Sequence, residues 1–134
     1  MFRVRLQPKA ACSPVLFVVS NADGVPRIDR MHPLRTDQLT SPTFATWPRG
    51  ELAAGQEFDL PPTAMERYRV ASPVGYLVLV TRASGPFDEP SIEALQRRLE
   101  DAIGRKLDAS AIERAVAALV ASGVAAESRL LRAP

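Results

Sequence analysis

The residues best suited to chemistry in this chain are few. Cys12 is the one cysteine and His32 the one histidine among 134 residues. A thiol beside an imidazole is the sharpest catalytic arrangement they allow, because the imidazole takes the thiol proton and leaves a nucleophilic sulfur. Both flank one predicted hairpin, Cys12 just before its first strand and His32 just after its second, so a sheet can carry them on the same side. Nothing in their flanks resembles a nucleophile elbow or an oxyanion loop. A small buried thiol and a partly exposed loop imidazole is the plainer expectation. With one residue of each kind, a two-histidine metal site, a cysteine zinc site and an intramolecular disulfide are all excluded.

Oxygen and phosphate chemistry is equally thin. Asp23, Asp29 and Asp37 are candidate calcium ligands by type, but their spacing does not match an EF-hand loop, and Asp23 belongs to a turn. Arg49-Gly50 with Gly55 is too poor in glycine for a phosphate cradle and lacks the Gly-Lys-Ser/Thr ending. The net charge is only +2, from 17 Lys and Arg against 15 Asp and Glu, so no concentrated basic patch suits a nucleic acid. Arg97, Arg98, Arg105 and Lys106 are interleaved with Glu93, Glu100 and Asp101, the pattern of a solvated helix face with i,i+4 pairs. No catalytic residue, cofactor or metal ligand is therefore assigned. The residues that suit a partner are Phe44 and Trp47, two aromatics in a Pro-rich loop that offer large apolar area at low entropy cost. The competing expectation is that they tuck under the loop and close one end of a sandwich.

The elements that would position these residues divide near Phe87. Upstream, Phe2, Val4 and Leu6 alternate with Arg3 and Arg5 as in a half-buried strand, and Val15 to Val19 is a short apolar run suited to a strand covered on both faces. Asp23-Gly24 supplies the positive-φ positions of a hairpin turn. The chain returns through Val25, Ile28 and Met31, with a break in alternation near Pro26. Residues 33–48 read as a loop, 57–60 as a short strand ended by Pro61-Pro62, and 67–70 and 75–81 as further strands, the last the most β-prone stretch of the chain.

Downstream the period becomes helical. Asp88, Glu89 and Pro90 suit a helix start, and Ile92, Leu95, Leu99 and Ile103 form one apolar stripe that weakens at Gly104. Ser110 to Glu113 matches a capping box for a second helix, with a stripe of Ile112, Val116, Leu119 and Val120 and an end at Ser122-Gly123. The last ten residues fit a frayed tail, a strand or a short helix.

The strand-rich part resembles a bacterial family, domain of unknown function 4384, over roughly residues 2–87. Three segments carry the resemblance: Val15 through the Asp23-Gly24 turn to Pro33, Leu52 through Gly55 to Pro61, and Tyr68 through Gly75 to Phe87. The insert from Leu34 to Pro48 and the weak alternation of the first strand depart from the family pattern. The resemblance implies a β-sandwich-like accessory domain, found beside caspase-like peptidases or protein kinases, with no catalytic residues.

The expected fold is α+β: an antiparallel β-sandwich or half-barrel of six to seven short strands with two C-terminal helices, as one domain with a sandwich part (1–87), a helical pair (88–123) and a tail (124–134). The predicted core is Val4, Leu16, Val18, Ile28, Phe58, Tyr76, Val78, Val80, Ile92, Leu95, Leu99, Ile103, Val116 and Leu119. The expected function is a non-catalytic protein-interaction or accessory module with a protein partner, no nucleic acid and no membrane insertion. A homodimer through the Ala-rich second helix is a further expectation. The alternatives are a small hydrolase or transferase using Cys12 and His32, and a secretion-apparatus or envelope component with a transthyretin-like sandwich. Charged residues interrupt the Met1-Phe2-Arg3 start at once and leave no apolar stretch of the signal-peptide kind, so a cytoplasmic location is expected for a full-length chain, and the compartment stays open for a fragment of a longer or secreted protein.

Overall fold

A computed structural model describes residues 4–35, 52–60, 74–82 and 87–132. Among these described residues, six strands and two helices are arranged as two antiparallel sheets and a helical layer. The strands are β1 (Val4–Leu6), β2 (Ser13–Ala22), β3 (Val25–His32), β4 (Phe58–Leu60), β5 (Val74–Arg82) and β6 (Ala125–Arg132). The helices are α1 (Glu89–Ile103) and α2 (Ala109–Ala121). The main sheet runs β3-β2-β5-β6, and β1 pairs with β4 as a separate ribbon. The α+β class expected from the change of period is the observed one.

The β2–β3 hairpin turns where its residues dictate. Ala22 pairs with Val25, leaving Asp23 at φ 53° and Gly24 at φ 80° as a two-residue loop. Two successive positive φ values match the right-handed twist of the strands, which is why Asp-Gly is favoured there. The ladder shifts register between Leu16 and Phe17, where Leu16 faces His32 and Phe17 faces Arg30. That irregularity lies at the Met31 end of β3, not near Pro26, which keeps regular pairing with Asn21.

Every residue of β2 from Ser13 to Ser20 is buried, as a strand covered on both faces must be. Its two faces serve different cores. Val15, Phe17 and Val19 join Val78 and Val80 beneath the helices, in a cluster with Ile92, Leu95, Leu99, Ile103, Ala111, Ile112, Ala115 and Leu119. Leu16 and Val18 point the other way, toward Leu79 and Leu77 in the ladder. A core that groups Leu16 and Val18 with Val78 and Val80 therefore mixes two faces, because side chains alternate along a strand. Of the other predicted core positions, Val4, Ile28, Tyr76 and Val116 are half-buried. The side chain of Phe58 lies outside the described residues.

Both helices begin on a carboxylate. Asp88 accepts from the Ser91 amide at 2.8 Å, with Pro90 in the first turn, as the sequence suggests. For α2 the cap is Asp108, which accepts from the Ala111 amide at 2.8 Å. The expected box at Ser110 is displaced by this earlier acceptor, which stands in extended backbone just ahead of the first turn. The α2 stripe is also rotated from expectation. Ala111, Ile112, Ala115 and Leu119 are buried, whereas Val120 is 51% exposed. Small side chains at 111 and 115 let the backbone come close to its neighbours, so the alanines face inward. The alanine stripe proposed for a homodimer is thus engaged within the chain's own core.

The tail is strand β6, antiparallel to β5 from Val74–Arg132 to Thr81–Ala125. The segment after the helices thereby completes the sheet begun upstream. Among the described residues, no helix is long and apolar enough to cross a membrane.

Candidate functional site

Cys12 and His32 are held apart by the ladder. Cys12 sits just ahead of β2 and exchanges backbone hydrogen bonds with Leu52 at 3.0 and 2.8 Å. His32 ends β3 opposite Leu16, four residues further along β2 and on the flank away from β5. At about 3.3 Å of rise per residue, that separation is roughly 13 Å along the strand, well beyond hydrogen-bond reach. Partial burial pushes the Cys12 thiol pKa up. Burial, reinforced by the charge of Arg30, lowers that of His32 from 6.5 to about 4. Both directions favour the neutral thiol and neutral imidazole rather than a thiolate–imidazolium pair.

The oxygen candidates are dispersed as well. Asp23 forms the hairpin turn, and Asp29 accepts from the Arg27 side chain at 3.1 Å on the same face of β3. Asp37, Phe44 and Trp47 lie outside the described residues. Among the described residues, no group of three or more His, Cys, Asp or Glu side chains is gathered to hold a metal ion.

The strongest polar constellation is one that residue types alone do not reveal. Arg30, whose side chain is 6% exposed, donates to both Glu89 carboxylate oxygens at 2.7 Å. It donates further to the Pro33 carbonyl at 2.6 Å and the Leu34 carbonyl at 3.3 Å. The paired guanidinium holds the Glu89 carboxyl below its ordinary pKa. These bonds tie the end of β3 and the segment after it to the first turn of α1. With four of the five guanidinium N–H donors committed to the protein and the side chain 6% exposed, this is a latch and not an open anion site.

The opposite side of the sheet, away from the helices, carries an open cleft. Between the β1 ribbon and the face of β5 and β6 lies a cleft of about 280 Å³. Its apolar lining includes Val4, Leu6, Leu16, Leu77, Leu79 and Leu131. Arg5, at its rim, pairs with Asp59 at 2.9 Å and Glu57 at 3.3 Å across the ribbon. Beside the cleft runs the outer edge of β6, where Leu130, on the helical face of that strand, is 47% exposed.

The two margins of the main sheet differ. The β3 margin carries Pro26, the Arg27–Asp29 ion pair and a register irregularity, all of which discourage addition of another strand. The β6 margin has eight residues, Ala125–Arg132, with no proline and no register shift against β5. Among the described residues, no strand pairs with its outer side. The sequence alone is compatible with a tail, a strand or a helix here. Its one local signal is weak alternation, with Glu127, Arg129 and Leu131 on one face and Ala126, Ser128 and Leu130 on the other. No protein-family model, no curated protein and no solved structure matches this chain.

Proposed function

We propose that the chain is a non-catalytic protein-interaction module that binds by strand addition along β6. The observation that carries this reading is the regular, proline-free edge of β6 lying against an apolar cleft. An added strand obtains affinity from the main-chain groups of such an edge and selectivity from alternate side chains that enter a neighbouring pocket. The separation of Cys12 from His32, and the opposed directions of their pKa shifts, support a role without covalent catalysis. An accessory role of the kind implied by the resemblance to domain of unknown function 4384 agrees with it.

The test is site-specific photocrosslinking in the native host. A benzophenone side chain at position 130 is compared with one at Glu113, which is exposed on α2. Discrete adducts at position 130 and none at 113 support the reading. No discrete adduct at 130, or the same adducts at both positions, overturns it.

A further inference from the structure

We propose that the strand added to β6 is the β6 of a second copy, paired antiparallel in a register centred on Ser128. This identifies the partner and rests on the interaction reading above. In that register the two four-stranded sheets become one continuous sheet across a two-fold axis.

Two constraints select the register. The first is the face of the sheet. Ala126, Ser128 and Leu130 stand on the helical side, opposite Val80, Val78 and Tyr76 in the ladder, while Glu127, Arg129 and Leu131 stand on the cleft side. Directly opposed residues share a face, so a two-fold pairing that keeps both helical layers on one side must centre on a residue rather than between two. The second constraint is charge. Centring on Glu127 sets Glu127 against its own copy, and centring on Arg129 does the same for arginine; like charges directly opposite are unfavourable. Centring on Ser128 instead sets Glu127 of each copy against Arg129 of the other, twice over. The same register places Leu130 opposite Ala126 and Leu131 opposite Ala125, matching large side chains to small ones on both faces. The half-exposed Leu130 then gains an apolar neighbour across the interface. One short strand pair makes a small interface, so a weak, concentration-dependent dimer is expected.

Sedimentation equilibrium from micromolar to near-millimolar protein tests this. Wild type should dimerise reversibly. Glu127→Arg and Arg129→Glu each turn both attractive pairs into repulsive ones, and each should weaken the dimer roughly 30-fold. Both positions are exposed in the single chain, and unchanged circular dichroism would show the variants folded. An equimolar mixture of the two single variants should form a heterodimer near wild-type strength, because each then offers what the other lacks. The double variant, Glu127→Arg with Arg129→Glu, should recover self-association. A wild type that stays monomeric throughout overturns the proposal, as does a dimer indifferent to these reversals. If a monomeric wild type still gives discrete adducts with a different protein at position 130, the interaction reading stands and only the self-pairing falls. If those adducts are absent too, both fall.

Discussion

Acidification should destabilise this protein through His32, in a window that carboxylates barely enter. The side chain is 0% exposed, and its folded pKa of about 4 lies below the ordinary 6.5. Between those values the unfolded chain binds a proton that the folded chain excludes. The stabilisation is therefore complete above pH 6.5 and is lost as pH falls toward the folded value. Taking the two pKa values as the limits, a change from about pH 7.5 to about pH 5 removes about 2 kcal/mol. That is a large share of a typical stability of roughly 5–15 kcal/mol. Glu89, the carboxylate held by Arg30, has its pKa lowered from 4.5 and so acts mainly at lower pH. Urea unfolding at the two pH values should show the loss in wild type, and His32→Asn should flatten the dependence even if it lowers stability at both. Since His32 is the only histidine, its imidazole resonances report the titration without assignment. An imidazole that titrates between about pH 6 and 7 in the folded protein would refute the reasoning.

Three other perturbations address separate parts of the structure. Glu89→Gln leaves the buried Arg30 guanidinium with carbonyl partners only and should cost about 2 kcal/mol at neutral pH by urea unfolding. The difference from wild type should shrink as pH falls through the Glu89 pKa, because the wild-type carboxylate is then protonated as well; a neutral effect at pH 7 would show that the latch adds nothing. Asp108→Ala should cost about 1 kcal/mol by thermal or urea unfolding, and Ser110→Ala well under half of that. The reverse order would return the cap to Ser110. Alkylation of Cys12 should be slow at neutral pH and accelerate only above the ordinary thiol range, and rapid reaction near pH 7 would contradict the raised thiol pKa and revive a thiolate chemistry.

What was legible in the sequence was whatever a single element decides for itself. Asp23-Gly24 specifies its turn because two positive φ values leave few other residues suitable. Ile92, Leu95, Leu99 and Ile103 recur at helical spacing, and all four are buried. The Val15–Val19 run announces burial on both faces, but it does not say which face meets the helices, since alternation labels two sides without naming them. Competition between neighbours is also hidden. Asp108 and Ser110 are both competent caps, and the choice follows from where the backbone first turns helical.

The features that bear on function depend on closure between distant segments. Arg30 reads as a polar position on a hairpin strand until α1 brings Glu89 to it, and only then do its four short bonds form. The β6 segment is poorer in signal still. Ala125-Ala-Glu-Ser-Arg-Leu-Leu-Arg132 has low β propensity for a strand, and its conformation is fixed by β5, some fifty residues earlier, and by α2 returning the chain through Gly123 at φ 100°. A strand held in this way needs no β-branched residues of its own. That leaves its composition open to another requirement, and the opposed charges two residues apart, flanked by alanines at one end and leucines at the other, meet the requirement of an edge that pairs with itself. Ser128 is then the residue to watch. A proline there removes one main-chain donor from the strand, and its effect depends on whether that donor points toward β5 or outward. Amide exchange at residues 127–129, measured across a dilution series, separates these cases: amides bonded to β5 stay protected at every concentration, whereas those bonded across the two-fold lose protection as the dimer dissociates. If every β6 amide exchanged at a rate independent of concentration, the outer margin of β6 would have no self-pairing to explain.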